Sequence, residues 1–262
     1  MNQHYPSDMT DRQWQIIKPL LPKPAKRGRR PICRRRILNA ILYINRTGCQ
    51  WRMLPSDFPK WKSVYTVFWR WRQAGIWERI HDALRKKVRR QHGKKATPSV
   101  AIIDSQSVRT AEGGEERGYD GGKKITGRKR HIAVDTLGLL MAVVVHAASW
   151  QDHDGACFLF QRLRAFGRLR VIFADSAYKR NGLPDWVRAT FGWVLQAVLR
   201  PVAVRGFVLL PKRWIVERTF AWLKQYRRHS KDYERNPETS EAMIYISMIA
   251  LMSRRLARGK DI

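Results

Sequence analysis

The apolar pattern changes its period near residue 95, and that change limits what the chain can fold into. Before it, apolar residues recur every three or four positions, the spacing of one helix face. After it, short continuous apolar runs bounded by turn residues read as buried strands. The polar stretch 94–99, which contains Pro98, is the junction. We therefore expect an all-α domain over residues 1–95 and an α/β domain with a mixed, helix-covered sheet over residues 96–262.

The first region predicts four helices. Thr10 followed three residues later by Gln13 is a capping-box signature, and Trp14, Ile17 and Leu21 continue at helical spacing until Pro22 and Pro24 stop them. A loop over residues 23–36 holds eight basic residues, Arg29 and Arg30 among them. Ile37, Ile41 and Ile44 mark a second helix that Gly48 ends. A third, residues 63–72, turns Val64, Val67, Phe68 and Trp71 inward and Arg70 and Arg72 outward. After Gly75, Trp77, Ile80, Leu84 and Val88 define a fourth, with a basic tail at residues 85–90. Short helices with tight turns and a basic surface fit a helix-turn-helix-like DNA-binding domain better than a basic bundle without specificity.

Charge narrows the partner. There are 52 Lys and Arg against 21 Asp and Glu, a net charge of +31, of which +19 sits in residues 1–95. Self-repulsion of that size calls for a polyanion, and nucleic acid leads. An anionic membrane is the weaker candidate. The longest apolar runs, residues 139–145 and 243–252, fall short of the roughly 20 residues a spanning helix needs. Residues 1–10 contain no apolar signal core, so we expect a cytoplasmic, nucleoid-associated protein. Cys33, Cys49 and Cys157 are spaced neither as a disulfide framework nor as a zinc half-site and are expected as buried free thiols.

In the second region, residues 100–103 run apolar into Asp104, and residues 169–174 run apolar into Asp175. Residues 130–134 and 139–146 flank the turn 136–138 as an antiparallel hairpin, and a helix over residues 154–166 begins with Asp154 as its expected N-cap. Further helices are expected at 186–191, 212–228 and 237–258, with a strand at 193–199. A carboxylate at a strand's exit is held by the sheet yet faces solvent, as a metal ligand must. If the two strands are neighbours, Asp104 and Asp175 converge. Taken singly, each Asp-Ser pair is also common turn chemistry. The helix around Glu217 adds weight: Arg213, Glu217, Lys224 and Arg228 fall on one face, and Ile215, Val216, Thr219, Phe220, Leu223 and Tyr226 on the other. Arg213 and Glu217 could form no more than an i,i+4 pair. Alternatively Glu217 is a third metal ligand among phosphate-binding bases. Three carboxylates suit two Mg²⁺ ions, with Mn²⁺ as a substitute, because a hard cation prefers oxygen ligands.

In order and context, Asp104, Asp175 and Glu217 resemble the DDE triad of transposases with an RNase H-like core. The stretch 210–224 (LPKRWIVERTFAWLK), followed by Tyr226-Arg-Arg and residues 230–234 (SKDYE), resembles the C-terminal signature of insertion-sequence transposases of the IS4/5-like group. Residues 46–55 (RTGCQWRMLP), 127–131 (GRKRH), 134–138 (VDTLG) and 151–156 (QDHDGA) are similar to the same family, so the likeness runs over nearly the whole chain. The Y-(2)-R-(3)-E-(6)-K pattern of such enzymes is met at Arg213, Glu217 and Lys224, with Leu210 in place of the tyrosine. The resemblance implies a DDE transposase that cleaves and joins double-stranded DNA. Arg213 and Lys224 would hold the transposon end, and the N-terminal domain would read terminal inverted repeats. It also implies a homodimer in the synaptic complex and no small-molecule substrate. The competing reading is a catalytically silent DNA-binding protein derived from a transposase; a plain metal nuclease is a third.

Other residues carry less. Arg128, Lys129 and Arg130, with Arg29, Arg30, Arg70, Arg72 and Arg228, are further candidate DNA contacts. Asp152 and Asp154 could be ligands, but helix capping accounts for them; Asp135 reads as turn chemistry and His131 as structural. Residues 111–124 lack the GxxxxGK[ST] order of a phosphate loop and read as a mobile loop. The tryptophans are mostly core, with Trp69 and Trp71 the two that could stack on bases.

Overall fold

The computed structural model describes residues 5–23, 32–111, 114–198 and 212–259. Arg29, Arg30 and Leu210 lie outside the described residues. In chain order, the helices and strands described are α1 (Asp11–Ile17), α2 (Arg34–Thr47), α3 (Trp61–Gln73), α4 (Ile76–Gln91), β1 (Val100–Arg109), β2 (Gly118–Asp120), β3 (Ile125–Val134), β4 (Leu140–Ala147), α5 (Asp152–Leu163), β5 (Val171–Ala174), α6 (Leu183–Phe191), β6 (Val194–Ala197), α7 (Arg213–Lys224) and α8 (Pro237–Arg258). They form two compact units: residues 1–93 with 223–230 and 242–262, and residues 94–222 with 231–241. The first boundary falls where the sequence period changes. The later segments depart from the expected division, because most of α8 packs with the N-terminal helices.

The first unit is helical. Thr10 caps α1 reciprocally: its hydroxyl accepts the Gln13 amide at 3.2 Å, and the Gln13 side chain accepts the Thr10 amide at 3.0 Å. Gly48 ends α2 in the left-handed region (φ +75°), and a Cβ there would press on Arg227 at 3.2 Å. Val64, Phe68 and Trp71 of α3 and Ile76, Trp77, Ile80, Leu84 and Val88 of α4 are buried; Val67 is half-buried. From α2, the Asn45 amide nitrogen donates to Ser247 Oγ (2.8 Å) and to the Met243 carbonyl (3.2 Å) of α8. The basic tail of α4 is not all surface. Arg85 and Arg89 are buried, and Asp82 pairs with both Arg85 and Lys86.

The second unit is built on one six-stranded sheet in the order β2-β3-β1-β5-β6, with β4 pairing the outer part of β3 beyond β2. β1 is antiparallel to β3 and parallel to β5; β5 is parallel to β6. The β3–β4 hairpin closes on Asp135, whose carboxylate accepts the amides of Leu137 (2.8 Å) and Leu139 (2.9 Å). Alternate residues of a strand face opposite sides of the sheet. One side, formed by Ala101, Ile103, Ile172 and Ala174, packs under α5 and α6 through Ala156, Leu159, Phe160 and Val187. The other side lies beneath α7, whose Thr219 hydroxyl donates to the Gly138 carbonyl at 2.8 Å and whose Arg218 donates to the Leu137 carbonyl at 3.1 Å.

Several boundaries differ from expectation. β1 does not end before Asp104 but runs five residues past it, because β3 continues to pair with its polar half. Residues 118–120, expected within a loop, form β2. Gln151, not Asp154, is the N-cap of α5, and Asp152 and Asp154 lie in its first turn. α7 stops at Lys224, so Arg228 is not on its face. The three cysteines are free, but Cys33 is exposed and the other two are half-buried.

Candidate active site

The register of β1 against β5 decides where two of the three acids go. Ile102 lies opposite Phe173, so two residues further on Asp104 stands level with Asp175. Asp175 follows the last residue of β5 with its backbone still extended (φ −78°, ψ 179°). Since Ile103 and Ala174 point to the α5 side, the two carboxylates belong to the α7 side. They converge from positions 71 apart in sequence.

Each carboxylate is positioned locally. Asp104 accepts the Ser105 amide at 2.8 Å, and Asp175 accepts the Ala177 amide at 2.9 Å, opening a 3-10 turn at Ser176–Lys179. The Asp-Ser turn chemistry is therefore present as well; it aims the carboxylates without consuming them. Burial pushes the Asp104 carboxyl up to about 6. Asp175 pushes in the same direction, while the Ser105 amide, Arg213 and Lys123 pull it back. A carboxylate held that high beside a second acid is one that a cation would relieve.

Glu217 lies one turn into α7, half exposed, with its carboxylate 3.7 Å from the Arg213 guanidinium. Arg213 in turn acts on Asp104, and Lys212 stands 3.8 Å over the Phe173 ring, so the first turn of α7 borders the Asp pair. Among the described residues no three His, Cys, Asp or Glu gather closely enough to hold a metal ion, so Glu217 is adjacent to the pair without joining it. The donor set fits a hard divalent cation: Asp104 and Asp175 offer carboxylate oxygens from rigid backbone.

Behind Asp104, on the α5 side, is a polar cluster that the sequence did not single out. The Ser105 hydroxyl donates to Asp152 at 2.8 Å, and Lys129 pairs with Asp152 at 3.1 Å and lies 3.6 Å from Asp120. Burial pushes Asp152 up, but Ser105 and Lys129 outweigh it and the net shift is downward. The buried Tyr178 hydroxyl is 3.4 Å from His131 Nδ1, and the His131 ring stacks on His146 with centroids 4.9 Å apart. Burial, with His146 adding to it, drives His131 down to about 3 and keeps it neutral. Ser105 follows Asp104, and Tyr178 follows Asp175 by three, so the cluster braces both acids. Its sequence signals are the acids at 152 and 154 and His131, read as structural.

The candidate DNA contacts separate sharply. Lys224 and Arg70 are exposed, and Arg213 and Arg72 are half-buried. Four others are corrected. Arg128 is fully buried, donating to Asp232 (3.2 Å), to the Glu234 carbonyl (2.9 Å) and to the Glu115 carbonyl. Arg130 is buried near the same Asp232 (3.9 Å) and donates to the Lys231 carbonyl. Lys129 is committed to Asp152, and Arg228 is buried with its guanidinium donating to the Cys49 carbonyl at 3.0 Å. Of the two tryptophans, Trp71 is buried edge-on to Trp77 while Trp69 is exposed.

Residues 95–253 match the family model of the transposase DDE domain, and residues 9–81 match that of a putative transposase of the IS4/5 family. The chain belongs to the DDE transposases. A protein of Burkholderia cepacia described as an insertion element IS402 uncharacterized 16.2 kDa protein is 36% identical over 117 residues, which cover 41% of this chain and 77% of the relative. A second protein of that organism, described as a putative transposase for IS402, is 26% identical over 145 residues, 51% of this chain and 66% of the relative. An uncharacterized protein of Sinorhizobium fredii is 29% identical over 102 residues, 38% of this chain and 75% of the relative. The mixed sheet with helices on both faces is the RNase H-like core of this transposase. None of its described helices is long and apolar enough to cross a membrane.

Proposed function

We propose that the transposase cleaves DNA at the ends of its insertion sequence and joins the freed 3′-hydroxyl to target DNA, with Asp104, Asp175 and Glu217 holding two Mg²⁺ ions or Mn²⁺ in their place. The observation that carries this reading is the level placement of Asp104 and Asp175 on adjacent parallel strands, facing α7. The ions would activate the attacking oxygen and stabilise the leaving one. The chain supplies the rest. Asp104 and Asp175 would hold metal from a fixed sheet, and Glu217 would complete the set on leaving its Arg213 partner. The released Arg213, with Lys224 further along α7, then takes DNA phosphate. Such an exchange suits DNA-dependent assembly, because a phosphate replaces the carboxylate that Arg213 loses.

End recognition is assigned to the helical unit. Lys62, Tyr65, Trp69 and Arg70 give α3 an exposed basic and aromatic face with no acidic residue in the helix, and Arg29, Arg30 and Arg72 would add phosphate contacts. Two ends need two sites, so the working form is a homodimer on DNA, in the cytoplasm with the nucleoid. The test is cleavage of a plasmid bearing the element's ends. Asp104→Asn, Asp175→Asn and Glu217→Gln should each lower nicking by at least about 10³-fold while end binding stays within about threefold. Nicking retained by Asp104→Asn sinks the assignment. No nicking by the unmodified protein would favour a catalytically silent DNA-binding derivative.

A further inference from the structure

The tight hairpin between β2 and β3 holds a lysine against Ser105, where β1 has run past the last of its pairs with β5. Asp120, the last residue of β2, accepts the amides of Gly122 and Lys123, both at 3.1 Å, in an Asx-type turn. Its second oxygen accepts the Ser107 hydroxyl at 2.5 Å, so the turn is pinned to β1. Lys124 takes a left-handed backbone (φ +53°) and sends the chain back into β3. The outcome is specific: Lys123 Nζ lies 3.4 Å from the carbonyl and 3.5 Å from the hydroxyl of Ser105, the residue after Asp104. These bonds are long, and an ammonium has three donors, so capacity remains for an anion. Its charge also acts on Asp104.

We propose that Lys123 binds a non-bridging oxygen of the phosphodiester that is cut at the Asp104–Asp175 pair. This rests on the reading of that pair as the cleavage centre. A phosphodiester entering there adds negative charge beside two carboxylates, and more develops as the attacking oxygen arrives. A cation fixed by a pinned turn needs no reorganisation to meet it, and its contact strengthens toward the transition state. Lys124, next in the chain and equally exposed, is the control for general surface charge.

The experiment uses the full chain, a supercoiled plasmid carrying the element's ends, and Mg²⁺. Lys123→Gln should cleave about 10²-fold more slowly with end affinity within about threefold, Lys123→Arg should recover most of the rate, and Lys124→Gln should stay within about twofold. With Ca²⁺ replacing Mg²⁺ so that DNA binds uncut, the ends should protect Lys123 from an acylating reagent more than Lys124. Cleavage by Lys123→Gln at the unmodified rate, or equal loss and equal protection at the two lysines, overturns the inference while Asp104→Asn remains inactive. If Asp104→Asn itself cleaves, the reading beneath it fails first.

Discussion

Asp104 and Ser105 are neighbours on β1, yet the two sides of the sheet treat them in opposite ways. On the α5 side, Ser105, Asp152, Lys129, Tyr178, His131 and His146 form a closed polar cluster in which the charged groups are paired and the imidazoles stay neutral. On the α7 side, Asp104 and Asp175 are brought level, and burial raises Asp104 by more than the Ser105 amide and the nearby cations lower it. One side is satisfied and holds shape; the other is left electrostatically incomplete and is where chemistry can enter. The lesson is that a reactive acid needs an unreactive polar backing one residue away.

That contrast can be broken from either side. The largest loss of stability is expected at Gly155, where a Cβ would meet His146 Nε2 at 2.3 Å and His131 Nε2 at 2.6 Å. Gly155→Ala should lower unfolding free energy by about 2–4 kcal/mol, read from urea midpoints; a loss under about 0.5 kcal/mol would show that the imidazoles yield freely. Next is Asp152→Asn, which keeps the shape but leaves Lys129 without its carboxylate. A loss of about 2 kcal/mol is expected, discounted because Asp152 is partly solvated, and unchanged stability would mean that Asp120 alone suffices for Lys129.

The smallest effect has the opposite sign. Asp104 titrates near 6 when folded against an ordinary 3.8, so the folded state holds the extra proton between those values. Stability of the metal-free protein therefore falls as pH rises from about 4 to about 6 and is level above. Asp104→Asn should match the unmodified protein near pH 4 and exceed it by about 1–2 kcal/mol at pH 7, in urea titrations with chelator present. Equal stability at both pH values would remove the strain assigned to Asp104.

Much of this was legible from local signals. The Thr10 cap, the Gly48 stop, the Asp135 turn and the bounds of α8 all follow from a few adjacent residues, and the structure keeps them. The level placement of Asp104 and Asp175 was readable as a condition on strand pairing, which a sequence states only indirectly. What stayed hidden depended on distant partners. The polar half of β1 is a strand because β3 lies beside it, and β2 is only three residues long. Arg85, Arg128, Arg130 and Arg228 looked like surface charge because composition counts a guanidinium without its acceptor. Lys123 was obscured in a Gly- and Lys-rich stretch whose turn is fixed by Asp120 and, through it, by Ser107 on β1.

β1 also makes the site sensitive to counting. A strand's two sides are assigned by parity, so removing one residue between Val100 and Asp104 would leave an apolar strand able to pair while turning its later residues over. Asp104 would then enter the cluster that Ser105 now serves, and a hydroxyl would face α7. Substitutions can erode this enzyme by degrees, but the loss of a single codon there would silence it at once.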